Sequence, residues 1–250
     1  MKKCESPKSQ RPEGHPTRIM DISLALTAET APWPGDPGLE IRDVATLAAG
    51  DPSLVRAMSL GLHMGTHLDA PAHVFPDGLT VDCLPLDLFH GPALVVDLSC
   101  PDHEPGLALK NKNQVRHEIN KENTEIEGIC VEELEAAGIP AGCPRLLLKT
   151  RPENSRDPAV FSRNYRHLTP EAARWCLDRG VHLLGMDTPS PDPVQSTDLP
   201  AHHILLGAGT PLLENLDLTG VAAGTYVLVC LPLRLQGLEA SPVRAVLLAG

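Results

Sequence analysis

The sequence predicts a strand-rich α/β fold, a single domain with two or three flanking helices. Three observations lead there. Short runs rich in Val, Leu and Ile recur along the chain, each bounded by turn residues, as buried strands require. Twenty Gly and 25 Pro punctuate the 250 residues and leave little length for long helices. Hydrophobic residues make up 42% and charged residues 21%, the balance of a chain that buries a core. Only 3% are aromatic, so that core must be aliphatic.

In chain order, residues 1–17 carry almost no apolar side chains and are expected to form a disordered tail, leaving 18–250 as the folded domain. A first strand is expected at 18–26. The stretch APWPGDPG at 31–38 must be a loop. Further strands are expected at 57–69, 92–99, 145–150, 181–187, 226–233 and 243–248. VEELEAA at 131–137 reads as a helix ending before Gly138. A second helix opens with Thr169 as N-cap, Pro170 in its first position and Glu171 in its first turn, and runs to Gly180. The polar, mixed-charge stretch 101–127 reads as a surface excursion, and no internal repeat is visible.

Charge narrows the function. Lys and Arg number 21 against 32 Asp and Glu, a formal net charge of −11. An acidic surface repels phosphate backbones and disfavours nucleic acid as a partner. No apolar run reaches the roughly 18 residues of a membrane helix, and the N-terminus lacks the apolar segment of a signal peptide. Seven cysteines, an odd number without CxxC spacing, point to reduced thiols and a cytoplasmic protein. No GxSxG is present and no Cys has a recognisable partner His, which disfavours a Ser or Cys nucleophile.

The chemistry concentrates in SLGLHMGTHLDAPAH, residues 59–73. Even positions from Leu60 to Ala70 are mostly apolar, and odd positions are polar or tiny. That alternation predicts a half-buried strand with His63, His67 and Asp69 on one face. His63 and His67 also stand at helical i, i+4 spacing, but two glycines and Pro71 weaken a helix there. Neutral imidazoles and a carboxylate on one face are a ligand set for a divalent cation such as zinc or manganese, with positions left open for water. His73, beyond the Pro turn, is either a further ligand or an acid/base beside the cation. A second cluster holds His202, His203 and Glu214, the last flanked by leucines. A carboxylate inside such a run is paired, cation-bound or at a solvated edge. Adjacent histidines in an extended chain point apart, so one of His202 and His203 is expected to contribute.

HMGTHLDAPAH resembles the H-x-G-T-H-x-D-x-P-x-H signature of the cyclase family of metal-dependent hydrolases, which includes bacterial kynurenine formamidase and isatin hydrolase. WPGDP at 33–37, GMDTPSPD at 185–192, HHILL with Glu214, and the closing LPLRLQGLEASPVRAVLL extend the likeness over roughly 18–250. The resemblance implies that His63, His67 and Asp69 are metal ligands and that Asp69 bridges in a two-metal site. It implies that His202 and Glu214 complete the second position, that His73 is the general acid/base, and that Trp33 contacts an aromatic substrate. It further implies a barrel-like mixed β core, a homodimer or higher homo-oligomer, and one or two ions per subunit, zinc first and manganese second. At Thr66 and Val74 the chain departs from the bacterial formamidases, most of which carry Ala and Tyr there. The activity expected is hydrolysis of a C–N amide bond in a small aryl formamide or amide by a metal-activated water. A cyclic-amide or lactone hydrolase of the isatin hydrolase type is the alternative enzyme. A non-catalytic metal-binding protein is the alternative of another class.

Overall fold

A computed structural model describes residues 18–99, 128–151 and 165–249. The tail expected at 1–17 and the excursion expected at 101–127 lie outside the described residues. Among the described residues, eleven strands and three α-helices follow one another. They are β1 (Arg18–Asp21), β2 (Glu40–Ala45), β3 (Val55–Ser59), β4 (His67–Asp69), β5 (His90–Asp97), α1 (Val131–Ala136), β6 (Arg145–Lys149), α2 (Pro170–Asp178), β7 (Leu183–Met186), α3 (Pro200–Gly207), β8 (Leu212–Glu214), β9 (Gly224–Val229), β10 (Ala240–Pro242) and β11 (Val246–Ala249).

Nine strands form one curled half-barrel sheet in the order β1-β11-β9-β5-β6-β7-β8-β4-β10, and β2 and β3 pair apart as a hairpin. The centre, β5-β6-β7-β8, is parallel, and both flanks are antiparallel. Parallel neighbours need crossovers, and α2 and α3 supply those between β6 and β7 and between β7 and β8.

Strands β6, β7 and β8 are buried on both sides, which explains the unbroken apolar run of β6. Leu146 and Leu148 face the helices with Leu134, Ala172, Cys176 and Leu205. Leu147 faces the other side with Leu183, Leu213, Leu228 and Phe89. The close approach of β6 and β7 needs Gly185, where an added Cβ would stand 2.4 Å from Leu147 Cδ2. The core is aliphatic as expected; among the described residues Phe89 is the one aromatic of its largest fully buried side chains.

Helix α2 begins as the sequence predicts, with the Thr169 side chain accepting from Ala172 N at 3.2 Å and Pro170 in first position, and its chain reverses at Gly180, φ +79°. Helix α1 carries a reciprocal cap: Cys130 N donates to Glu133 Oε2 at 3.2 Å.

Two expectations are corrected. The continuous strand at 57–69 does not form. It divides into β3 and β4 around a turn in which Met64 N donates to Gly61 O and Gly65 takes φ +66°. Alternation survives only over His67–Asp69, because the two glycines break the extended path. The segment around His202 and His203 is not extended but is helix α3. Its cap is remote: Asp192 accepts from Ala201 N at 2.8 Å and His202 N at 3.0 Å, while Leu199, at φ +41°, caps nothing.

Candidate active site

Strand β4 sits between β8 and β10, with His67 opposite Glu214 on one side and Pro242 on the other. Leu68 enters the core on the side of Leu147 and Leu213, so His67 and Asp69 share the opposite face. The turn before β4 folds His63 back until its Nδ1 lies 2.9 Å from Asp69 Oδ1, close but without hydrogen-bond alignment. Beyond Asp69, a single 3-10 turn (Pro71–His73) carries His73 over the same face. The His63 and His73 rings stand 4.2 Å apart between centroids, and His73 and His202 stand 5.4 Å apart. Helix α3 brings in His202, whose Nε2 lies 3.3 Å from Glu214 Oε1 and 3.7 Å from Asp69 Oδ2. Six of the seven residues singled out in the two clusters therefore converge. His203 does not join them; it is exposed and its Nδ1 lies 3.0 Å from Leu199 O. A helix rotates successive side chains by about 100°, so only one of the neighbours faces inward.

The inward imidazoles are held by their other nitrogens. His67 Nδ1 lies 2.8 Å from Gly65 O, and His202 Nδ1 lies 2.6 Å from Asp192 Oδ2. Donation of Nδ1–H to these oxygens leaves each Nε2 lone pair aimed at the carboxylates. Four atoms there are buried without a hydrogen-bond partner: His67 Nε2, Asp69 Oδ1, Asp69 Oδ2 and Glu214 Oε1. Buried polar atoms are rarely left so. Two sets of potential ligand atoms, those of His63, Asp69 and His73 and those of His67, Asp69 and Glu214, each lie within 4.8 Å of one another, and Asp69 belongs to both. The donor set fits one or two divalent cations, which would satisfy the orphaned atoms together.

The proton balance agrees. Burial alone would lower His67, but Asp69 and Glu214 outweigh it and raise the imidazole to about 9. His202 is likewise raised well above its ordinary value: burial opposes, and Asp192, Asp69 and Glu214 prevail. Burial would raise Asp69, yet His67 and His63 hold its carboxyl well below the usual range. The carboxylates thus demand positive charge where they meet. At His73 burial wins over the attraction of Asp69 and lowers the pKa, leaving a neutral ring at pH 7.

A cavity of about 460 Å³ opens over this floor, and Trp33, Ser190, Asn215 and Arg151 contribute to its wall. Thr66 ties that wall together: its hydroxyl donates to Asn215 O at 2.6 Å and accepts from Leu24 N at 2.8 Å. Sequence reasoning did not single out Asp192 or Arg151. Asp192 closes the GMDTPSPD stretch that drew notice. Arg151 follows the C-terminal end of β6, a strand the sequence predicts and the structure shows to be parallel to its neighbours, where α/β folds place their ligands.

The Cyclase family profile matches residues 20–193. The kynurenine formamidase of Salinibacter ruber is 38% identical over 234 residues, covering 92% of this chain and 96% of that protein. That of Delftia acidovorans is 36% identical over 233 residues, covering 93% and 98%. Among solved structures, isatin hydrolase A from Ralstonia solanacearum superposes with a TM-score of 0.70 at 25% identity, covering 94% of this chain and 92% of that one. Isatin hydrolase A from Labrenzia aggregata gives 0.69 at 24% identity, covering 93% and 94%.

Proposed function

The chain belongs to the Cyclase family, and from that premise we propose that it is a metal-dependent hydrolase that cleaves the C–N bond of a small aryl formamide, with N-formylkynurenine as the reference substrate. One observation carries the reading: three imidazoles and two carboxylates, four of their atoms orphaned and buried, meet beneath a cavity that His73 also lines.

His63, His67 and Asp69 would hold one cation, and Asp69, His202 and Glu214 a second, with zinc the first candidate and manganese the next. A cation bound there would supply Lewis acidity and would lower the pKa of a water molecule to about 7. The residues of the chain do the rest. Trp33 offers a flat apolar face to an aromatic ring. His73 takes a proton at a ring nitrogen from the attacking water and returns it to the departing amine nitrogen, a task suited to an imidazole that is neutral at pH 7. Asp192 and Gly65 hold His202 and His67 in the orientation that keeps each Nε2 inward.

A second reading, hydrolysis of a cyclic amide of the isatin type, is favoured by the likeness to isatin hydrolase A from Ralstonia solanacearum. The hairpin leaves Ile41, Val44 and Met58 exposed, which supports a homodimer. Five cysteines are free among the described residues, which supports a reducing, cytoplasmic setting. No described helix is long and apolar enough to cross a membrane.

The test is turnover of N-formylkynurenine, formanilide and isatin by the purified protein with zinc, with manganese and after chelation. Formamide cleavage that chelation abolishes and zinc or manganese restores is expected. Cleavage of isatin alone would select the second reading, and no cleavage of any of the three with either metal would refute hydrolase action on this class.

A further inference from the structure

Arg151 stands apart from the groups already assigned. It follows β6, at the C-terminal end of the parallel centre of the sheet, and contributes to the cavity wall. Its backbone is pinned: Arg151 N donates to Asp187 Oδ2 at 3.0 Å, and Thr150 donates to the same carboxylate through its N at 2.9 Å and its Oγ1 at 2.6 Å. Its guanidinium is not similarly engaged. Among the described residues it has only the longer-range attraction of Asp187 and Asp217. Nor does it neutralise Asp187, whose carboxyl burial holds above its ordinary range despite the nearby charge. The three donors from Thr150 and Arg151 already occupy Asp187, so the guanidinium is not needed there as a hydrogen-bonding partner.

The charges around the cavity make this placement informative. Asp36, Asp69 and Glu214 line it, and among the described residues Arg151 is the only Lys or Arg that does. The chain as a whole carries −11. An anionic ligand is repelled by the surface and finds in Arg151 a permanently charged side chain inside, with five donors in a fixed fork suited to a carboxylate.

We propose that Arg151 is a substrate-binding, specificity-determining residue and that the substrates are aryl amides bearing a carboxylate, which the Arg151 guanidinium receives while the scissile group lies over His73. The inference rests on the formamidase reading for the reaction, but the anion subsite can be tested apart from it. In zinc-supplemented full-length protein, kcat/KM is measured for N-formylanthranilate and for formanilide, which lacks the carboxylate. In parallel, anthranilate and aniline are titrated calorimetrically. The wild type should prefer the carboxylated member of each pair. Arg151→Gln and Arg151→Ala should each reduce that preference about 10- to 100-fold, chiefly through KM, the worth of a charge-assisted hydrogen-bonded pair. Arg151→Lys should recover part of it. Because the readout is a ratio between two ligands on one sample, a fraction of misfolded variant does not imitate it. A preference in Arg151→Gln within about twofold of wild type would overturn the assignment. If the wild type cleaves neither formamide, the formamidase reading falls, and the anthranilate-to-aniline affinity ratio alone decides on Arg151.

Discussion

Asp192→Asn probes the link between helix α3 and the candidate metal site with the smallest change of shape. The carboxylate is fully buried and accepts three bonds, from Ala201 N at 2.8 Å, His202 N at 3.0 Å and His202 Nδ1 at 2.6 Å. An amide has one oxygen. If that oxygen keeps Ala201 N, the amide NH2 faces two donors of His202. If it flips, it keeps both His202 donors and only Ala201 N is orphaned, which is the cheaper choice. One lost buried acceptor costs about 1–3 kcal/mol, and at about 2–4 °C per kcal/mol for a chain of this size the Tm should fall by about 2–12 °C. The imidazole also exchanges a carboxylate for a neutral amide and becomes a weaker donor at Nε2, so metal affinity should drop about 10- to 100-fold. Thermal unfolding in excess chelator reads the first effect without contribution from bound metal. Competition between protein and a zinc indicator reads the second. A Tm within about 1 °C of wild type, together with zinc affinity within about threefold, would refute the reasoning that Asp192 both caps α3 and orients His202.

Three further outcomes are expected. His73→Ala should lower kcat by about 10²–10⁴ while bound metal, measured by elemental analysis, stays near wild type; loss of metal along with activity would make His73 a ligand. Gly65→Ala should be more destabilising than Gly138→Ala in thermal unfolding, because both glycines have positive φ but an added Cβ at Gly65 would stand 2.5 Å from Leu26 Cδ2 whereas Gly138 has open space; equal losses would leave backbone strain as the whole cause. Asp97 tests acid stability. Burial would raise its pKa, but bonds from Ser99 and Lys149 prevail and hold it below its ordinary value. The folded chain therefore binds fewer protons here than the unfolded one, so this contribution is present above about pH 4 and is lost as pH falls below it. The Tm of Asp97→Asn should decline less steeply than wild type over that acid range, and parallel declines would contradict the assignment.

The half of the site that lies within 63–73 was legible because its four polar side chains fall within eleven residues and around a Pro turn. The reason for their meeting was not legible. Alternation suggested one strand face, yet His63 arrives through a turn whose positive φ at Gly65 is a property of the folded backbone. Glu214 stood out as a carboxylate among leucines, but its pairing with His67 depends on β8 lying beside β4, and strand order is not a local property. Helix α3 escaped notice because Leu199 sits at the N-cap position and the capping carboxylate belongs to Asp192 in the preceding loop. The hairpin escaped because EIRDVA and VRAMS are largely exposed and carry no buried face to set a period. The long apolar strands β5, β6 and β7 were readable because a two-sided core imposes its composition directly on the sequence.

The position of β4 between β8 and β10 bears on biosynthesis. Both neighbours are encoded near the C-terminal end, so β4 emerges from the ribosome long before either partner exists. Until then its backbone donors and acceptors are open edges beside leucines, the condition that invites pairing with other chains. A nascent chain halted before Ala240 would own every histidine and carboxylate of the site and still leave one side of β4 unpaired. Premature termination or slow decoding of this last stretch should therefore yield aggregate rather than partially active enzyme.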